Sequence, residues 1–194
     1  MDPETIVIVS GLPRSGTSMM MKMLEAGGME LLTDGIRAAD EDNPKGYYEF
    51  EQVKRIEHDK SWLPAARGKA VKMISALLHH LPPDYSYKVI FMQRAMPEVL
   101  ASQRQMLIRR GQDPDKISDE RMADLFSKHL EQVEAWLAQQ PHFETLYISY
   151  NDMLVDPELY ARRIDAFLGG GLDVERMVGV VDSDLYRQRR EKLE

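Results

Sequence analysis

The chain has 194 residues, of which 43% are hydrophobic and 29% charged, a globular balance rather than that of an intrinsically disordered chain. It contains no cysteine, which excludes a disulfide framework, a thiolate metal site and a cysteine nucleophile. Lys and Arg number 25 against 32 Asp and Glu, a formal net charge of -7 that argues against broad nucleic-acid binding but leaves room for one basic pocket.

The acidic start Met1-Asp2-Pro3-Glu4 does not read as a secretory leader. No run approaches the roughly 18 apolar residues of a membrane span. The expectation is a cytoplasmic protein that binds neither membrane nor nucleic acid and folds as a single unit over residues 1–194.

Residues 5–10 (Thr-Ile-Val-Ile-Val-Ser) form a β-branched run of the kind that fills a strand buried on both faces. A glycine-bounded loop follows at 11–16. Residues 17–26 then read as a helix with Met19, Met20, Met23 and Leu24 on one side, ended by Gly27-Gly28 as a left-handed cap. The Met19-Met20-Met21 run reads as core packing with one solvent-facing member. Residues 33–47 are polar and turn-rich, a long surface loop.

A helix is predicted over 49–60, a second strand over 70–75 and a brief helical turn over 77–81, stopped by Pro82-Pro83. Residues 87–93 form a third strand, and 97–110 a helix with proline in its first turn and Gly111 beyond its end. Ser118 caps a further helix, with Asp119 and Glu120 complementing its dipole and apolar residues recurring at helical spacing to Pro141. Residues 143–150 read as a fourth strand and 156–168 as a helix broken by Gly169-Gly170-Gly171. The tail from Leu172 reads as partly helical and ends in a run of charges containing Arg187, Arg189 and Arg190. Strands alternating with helices define an α/β three-layer sandwich around a central, mostly parallel sheet, of the P-loop NTPase-like kind.

The sharpest chemical feature is Gly11-Leu12-Pro13-Arg14-Ser15-Gly16-Thr17-Ser18. It has the G-x-x-x-x-G spacing of a phosphate loop, with a buried strand before it and a helix after it. Glycines let the backbone approach an anion, the helix N-terminus adds donors, and Arg14 can fork onto two phosphate oxygens. The lysine of the nucleotide motif is absent: Thr17-Ser18 follow Gly16 directly. No strand ends in an acidic residue for magnesium, since the third runs into Gln93-Arg94. The loop therefore reads as an anion site in which arginine, with no metal, supplies the positive charge.

At these residues the sequence resembles the sulfotransferase family, which uses 3′-phosphoadenosine-5′-phosphosulfate as donor. The run from Pro13 to Ser18 is similar to the family's 5′-phosphosulfate loop in its arginine form, which implies donor contacts at Arg14, Ser15, Gly16, Thr17 and Ser18. The second family motif, an arginine at a strand end and a serine eight positions on, matches Arg94 and Ser102 and implies a 3′-phosphate site there. Pro97 follows Arg94 by three places where the family usually has two. Asn43-Pro44-Lys45-Gly46-Tyr47-Tyr48-Glu49 and the stretch from Tyr147 to Pro157 resemble bacterial members more loosely.

Sulfuryl transfer needs a base for the acceptor's proton and cations for the leaving group. The resemblance implies Glu49 as base, and Lys72 with Arg14 as the cations at the transferred group; a first-turn helix glutamate and a solvent-reaching strand lysine are the ordinary alternatives. His79 and His80 are the runner-up bases. In cytosolic relatives a histidine follows the strand lysine by two places, where this chain has Ile74. Lys45 is a candidate for the acceptor mouth, with a solvated loop lysine the ordinary alternative; His58 has no pattern behind it, and Trp62 and Trp136 carry no assigned role. The implied acceptor is a small hydroxyl or amine compound or a carbohydrate. A P-loop kinase or NTPase with an altered motif, and a non-catalytic nucleotide-binding module, remain alternatives.

Overall fold

The computed structural model describes residues 2–35 and 48–181. Four strands, β1 (Ile6–Gly11), β2 (Ala70–Lys72), β3 (Tyr87–Gln93) and β4 (Phe143–Ser149), form one all-parallel sheet in the order β2-β1-β3-β4. Helices cover both faces, so the central strand β1 is buried at all six positions. Its alternation divides the core. Ile6 and Ile8 join one cluster with Phe91, Tyr87 and Val89, while Val7 and Val9 join the other with Ile90 and Met92.

Helix α1 (Thr17–Ala26) buries Met20, Met21, Met23 and Leu24 on the Val7–Val9 face. It ends in a Schellman arrangement: Gly28 N–H donates to Glu25 O at 3.0 Å and Met29 N–H to Leu24 O at 2.9 Å. Helices α2 (Leu63–Ala66), α3 (Met96–Arg109) and α4 (Asp119–Leu137) follow. Ser118 caps α4 by accepting from Arg121 N–H at 3.3 Å, as its sequence predicts. Helices α5 (Tyr150–Val155), α6 (Pro157–Phe167) and α7 (Val174–Val178) complete the described chain, and α1, α5, α6 and α7 share one face. The opposite face carries α2, α4 and two 3₁₀ turns at Glu51–Arg55 and Ser75–His80.

The departures from the sequence reading have local causes. The helix expected over 49–60 is only the 3₁₀ turn Glu51–Arg55, because Tyr48 (φ 51°) and Phe50 (φ -128°, ψ 108°) are not helical. Buried Val53 and Ile56 then sit three residues apart, the spacing that a 3₁₀ turn aligns. β2 ends at Lys72 instead of residue 75, and Ser75 already begins the second 3₁₀ turn. β4 ends at Ser149, whose hydroxyl accepts Asp152 N–H at 3.2 Å and so starts the unanticipated α5. Of the expected loop at 33–47, residues 36–47 lie outside the described residues. Among the described residues no helix is long and apolar enough to cross a membrane.

Replacing Met23 (0% exposed) by alanine is expected to lower the unfolding free energy by about 2–5 kcal/mol in urea titration. Val155→Ala, at a position 85% exposed, should change it by less than about 0.5 kcal/mol.

Candidate functional site

The strand order makes the site. From β1 the chain moves to β2 on one side and then returns to β3 on the other, so a crevice opens at the carboxyl ends of β1 and β3. The loop at 11–16 leaves β1 there, and Arg94 leaves β3 one residue after its end.

The loop fits this place only with glycine at its two ends. Gly11 has φ 142°, and a Cβ there would lie 2.5 Å from the Met92 carbonyl oxygen. Gly16 has φ 100°, and a Cβ would lie 2.3 Å from Cδ2 of Tyr150. Between them Arg14 is held at φ 73°, a left-handed conformation uncommon for a non-glycine residue. Ser15 closes the turn: its N–H and its hydroxyl both donate to Leu12 O, at 3.2 and 2.7 Å. Gly16 is the N-cap of α1, with no side-chain cap and no acidic residue in the first turn, so the helix's own side chains leave its positive end uncompensated.

Both sequence motifs meet here. Arg14 Nε donates to Ser102 Oγ at 2.8 Å across 88 residues of chain. A terminal guanidinium nitrogen of Arg94 donates to the Arg14 carbonyl at 3.1 Å across 80 residues. The Arg94 guanidinium lies over the Tyr150 ring, 4.7 Å from its centroid. Its Nε donates to Oε2 of Glu98 at 2.9 Å, and Glu98 is fully buried. Asn151 Nδ2 donates to the other Glu98 oxygen at 2.9 Å, and Asn151 Oδ1 accepts Ala95 N–H at 3.1 Å. Burial pushes the Tyr150 phenol above its ordinary range, against the opposing influence of Arg94 and Arg14.

Lys72, at the carboxyl end of β2, pairs with Val9 and sends its side chain toward α1. Its Nζ stands 3.3 Å from Ser18 Oγ and 3.9 Å from Glu49 Oε1. Glu49 also faces Lys54 at 3.6 Å. Its segment is pinned by Asp34: Asp34 N–H donates to Glu49 O at 3.2 Å, and Glu51 N–H donates to Asp34 Oδ2 at 2.5 Å. Tyr48 anchors the same stretch by donating to Glu25 at 2.9 Å; burial, reinforced by Glu25, raises its phenol pKa to about 12. Lys45 and Arg187, Arg189 and Arg190 lie outside the described residues, as do Asn43 to Tyr47 of the looser resemblance.

The sequence alone assigns no role to Glu98, Asn151 or Tyr150. The i, i+4 spacing of Arg94 and Glu98 at a helix start was the available signal for the first. The other two come from the 147–157 stretch, and nothing local shows that its helix returns to the loop.

Fold and site together define a P-loop-like α/β protein whose glycine-bounded loop carries arginine and lacks the nucleotide-loop lysine. A family model described as a sulfotransferase domain matches residues 4–191, and the chain belongs to the sulfotransferase family. Among solved structures, the sulfotransferase domain of the Synechococcus PCC 7002 olefin synthase is similar at TM-score 0.57 and 17% identity, covering 99% of this chain and 83% of that one. Sulfotransferase STF1 from Mycobacterium tuberculosis H37Rv gives 0.59 and 17%, covering 98% and 75%. Mouse sulfotransferase SULT7A1, complexed with PAP, gives 0.54 and 18%, covering 92% of this chain and 63% of that one. At these identities the likeness is one of fold. A comparison with curated proteins finds no significant match.

The runner-up bases lie away from this cluster. Ser75 and Leu78 of the second 3₁₀ turn are buried on the α4 side, and His79 lines a cavity of about 380 Å³ there with Ser75, His129 and Trp136. Lys72 points to the other face of the sheet, toward α1. His80 lies against His79, the rings tilted by 42° with centroids 3.8 Å apart, and His58 is exposed beside Glu57. His129 Nε2 meets the Ser75 hydroxyl at 2.8 Å, and burial, with His79 nearby, holds its pKa below the ordinary 6.5. The folded state therefore binds fewer protons at this ring than the unfolded state does. Stability is expected to fall as pH drops below about 6.5 and to level off below the lowered folded value. Urea titrations at stepped pH should show that slope reduced in His129→Gln.

Proposed function

We propose that this chain moves a sulfuryl group from 3′-phosphoadenosine-5′-phosphosulfate to a hydroxyl or amine of a small acceptor. The observation that carries the reading is the meeting of Arg14 with Ser102 and of Arg94 with the Arg14 carbonyl, which gathers the two motifs into one crevice. The mouse sulfotransferase and a retinol dehydratase in complex with androsterone, both similar in fold, are complexed with PAP.

The residues fit such a donor. In this reading, Arg14, Gly16, Thr17 and Ser18 take the 5′-phosphosulfate, with Ser15 closing the turn beneath them, and Arg94 and Ser102 take the 3′-phosphate. Glycine is required where the backbone must come close, and α1 adds donors and a positive dipole end. Arg14 and Lys72 supply the positive charge for the leaving bisphosphate.

The acceptor oxygen attacks sulfur in line. An acceptor O–S bond forms as the bond from sulfur to the bridging phosphate oxygen breaks, and the acceptor's proton passes to Glu49. In this reading Lys72, whose Nζ lies near Ser18 and Glu49, meets the bridging oxygen as its charge grows. Glu49 and the strand lysine come together although 23 residues separate them, and that proximity supports a shared catalytic role.

Calorimetry should find adenosine 3′,5′-bisphosphate bound at least about tenfold more tightly than adenosine 5′-monophosphate, the size expected of one charge-assisted phosphate contact. Arg94→Ala should remove most of that difference. Equal affinities, or a preference for ATP–Mg²⁺, would overturn the reading. In a radiolabel assay across a panel of phenols, sugars and amines, Glu49→Gln should lower kcat by about 10²–10⁴-fold while leaving bisphosphate affinity within about twofold.

A further inference from the structure

We propose that Glu98 and Asn151 are positioning residues for the 3′-phosphate site: they fix the Arg94 guanidinium in the orientation that recognises the donor. The inference rests on the donor reading above and adds to it two residues with no role in that reading.

Among the described residues, three contacts orient Arg94. One edge, Nε, is tied to Glu98 at 2.9 Å. One end reaches the Arg14 carbonyl at 3.1 Å. One face lies over Tyr150 at 4.7 Å. Because Nε is held, rotation about the last side-chain bonds is restricted, and the planar fork keeps one direction.

Glu98 is itself held on both oxygens, by Arg94 and by Asn151 Nδ2. Asn151 Oδ1 also accepts the N–H of Ala95, the residue immediately after Arg94. The backbone beside the arginine and its guanidinium are therefore fixed through one asparagine at the start of α5.

Stability alone is a poor account of this arrangement. A fully buried carboxylate and a guanidinium only 9% exposed lose their hydration, and such a pair roughly breaks even against apolar packing. What the pair supplies is direction. A carboxylate this close also cancels part of the charge that attracts phosphate. A role through charge and a role through orientation therefore predict opposite effects of Glu98→Gln: tighter phosphate binding for the first, weaker for the second.

The test uses the full chain and calorimetric affinities for adenosine 3′,5′-bisphosphate and adenosine 5′-monophosphate. The readout is the ratio of the two, which a merely structural residue would not move. Glu98→Gln and Asn151→Ala are each expected to lower the ratio by about tenfold. In an Arg94→Ala background neither should lower it further, since all three act through one group. Asn151→Ala changes no charge and keeps the proposal testable if Glu98→Gln fails to fold. A ratio within twofold of wild type in folded Asn151→Ala, or one that rises in Glu98→Gln, overturns the proposal and leaves the donor reading standing. A wild-type chain with no preference between the nucleotides overturns both.

Discussion

The bond from the Arg94 guanidinium to the Arg14 carbonyl, 3.1 Å long, joins two loops that the sheet only brings near each other. The β1–β3 ladder ends at the pairing of Gly11 with Met92 and the β3–β4 ladder at Gln93 with Ser149, so the loop from Leu12 and the chain from Arg94 lie past the strand pairing. Arg14 holds a left-handed backbone that costs about 1–2 kcal/mol in isolation, and such a conformation persists where its surroundings over-determine it. Here a guanidinium from one side, Ser15 folded onto Leu12, and the Tyr150 ring against Gly16 define it together. The loop is shaped by groups from β3 and α5 as much as by its own glycines.

Around that bond the charges are graded by burial. Glu98 is sealed beneath Arg94, whereas Glu49 and Lys72 keep 18% and 11% of their side chains exposed. Lys72 stands between Ser18 of α1 and the carboxylate of Glu49, which connects the glycine-bounded loop's helix to the base candidate. A protein with net charge -7 thus gathers two arginines and a lysine at one edge of its sheet, with Glu98 and Glu49 beside them, so a local balance of charge can differ in sign from the total.

Much of the fold was legible. The four strands follow from β-branched runs, and the first helix, α3, α4 and α6 follow from caps, prolines and apolar spacing. The misreadings share a cause. At 49–60 a helix was expected, but Asp34 ties the Glu49 carbonyl and the Glu51 N–H, and Glu25 holds the Tyr48 side chain, both distant in sequence. At Tyr150 the strand-like composition continued, yet Ser149 turned the chain into α5. The loop residues 11–18, Arg94 and Ser102 could be picked out because each motif is local.

What the sequence determined by itself was the local chemistry: a glycine-bounded loop between a strand and a helix, an arginine in place of the nucleotide lysine, and a second arginine at a strand end. Short-range sterics and periodicity suffice for that, since they act within a few residues. Only the tertiary structure decided that Arg14 meets Ser102, that Lys72 meets Glu49, and that Asn151 meets Glu98. Those contacts cross 88, 23 and 53 residues, and they exist because reversed connections about β1 bring separate strand ends to one crevice, a juxtaposition that no local pattern encodes.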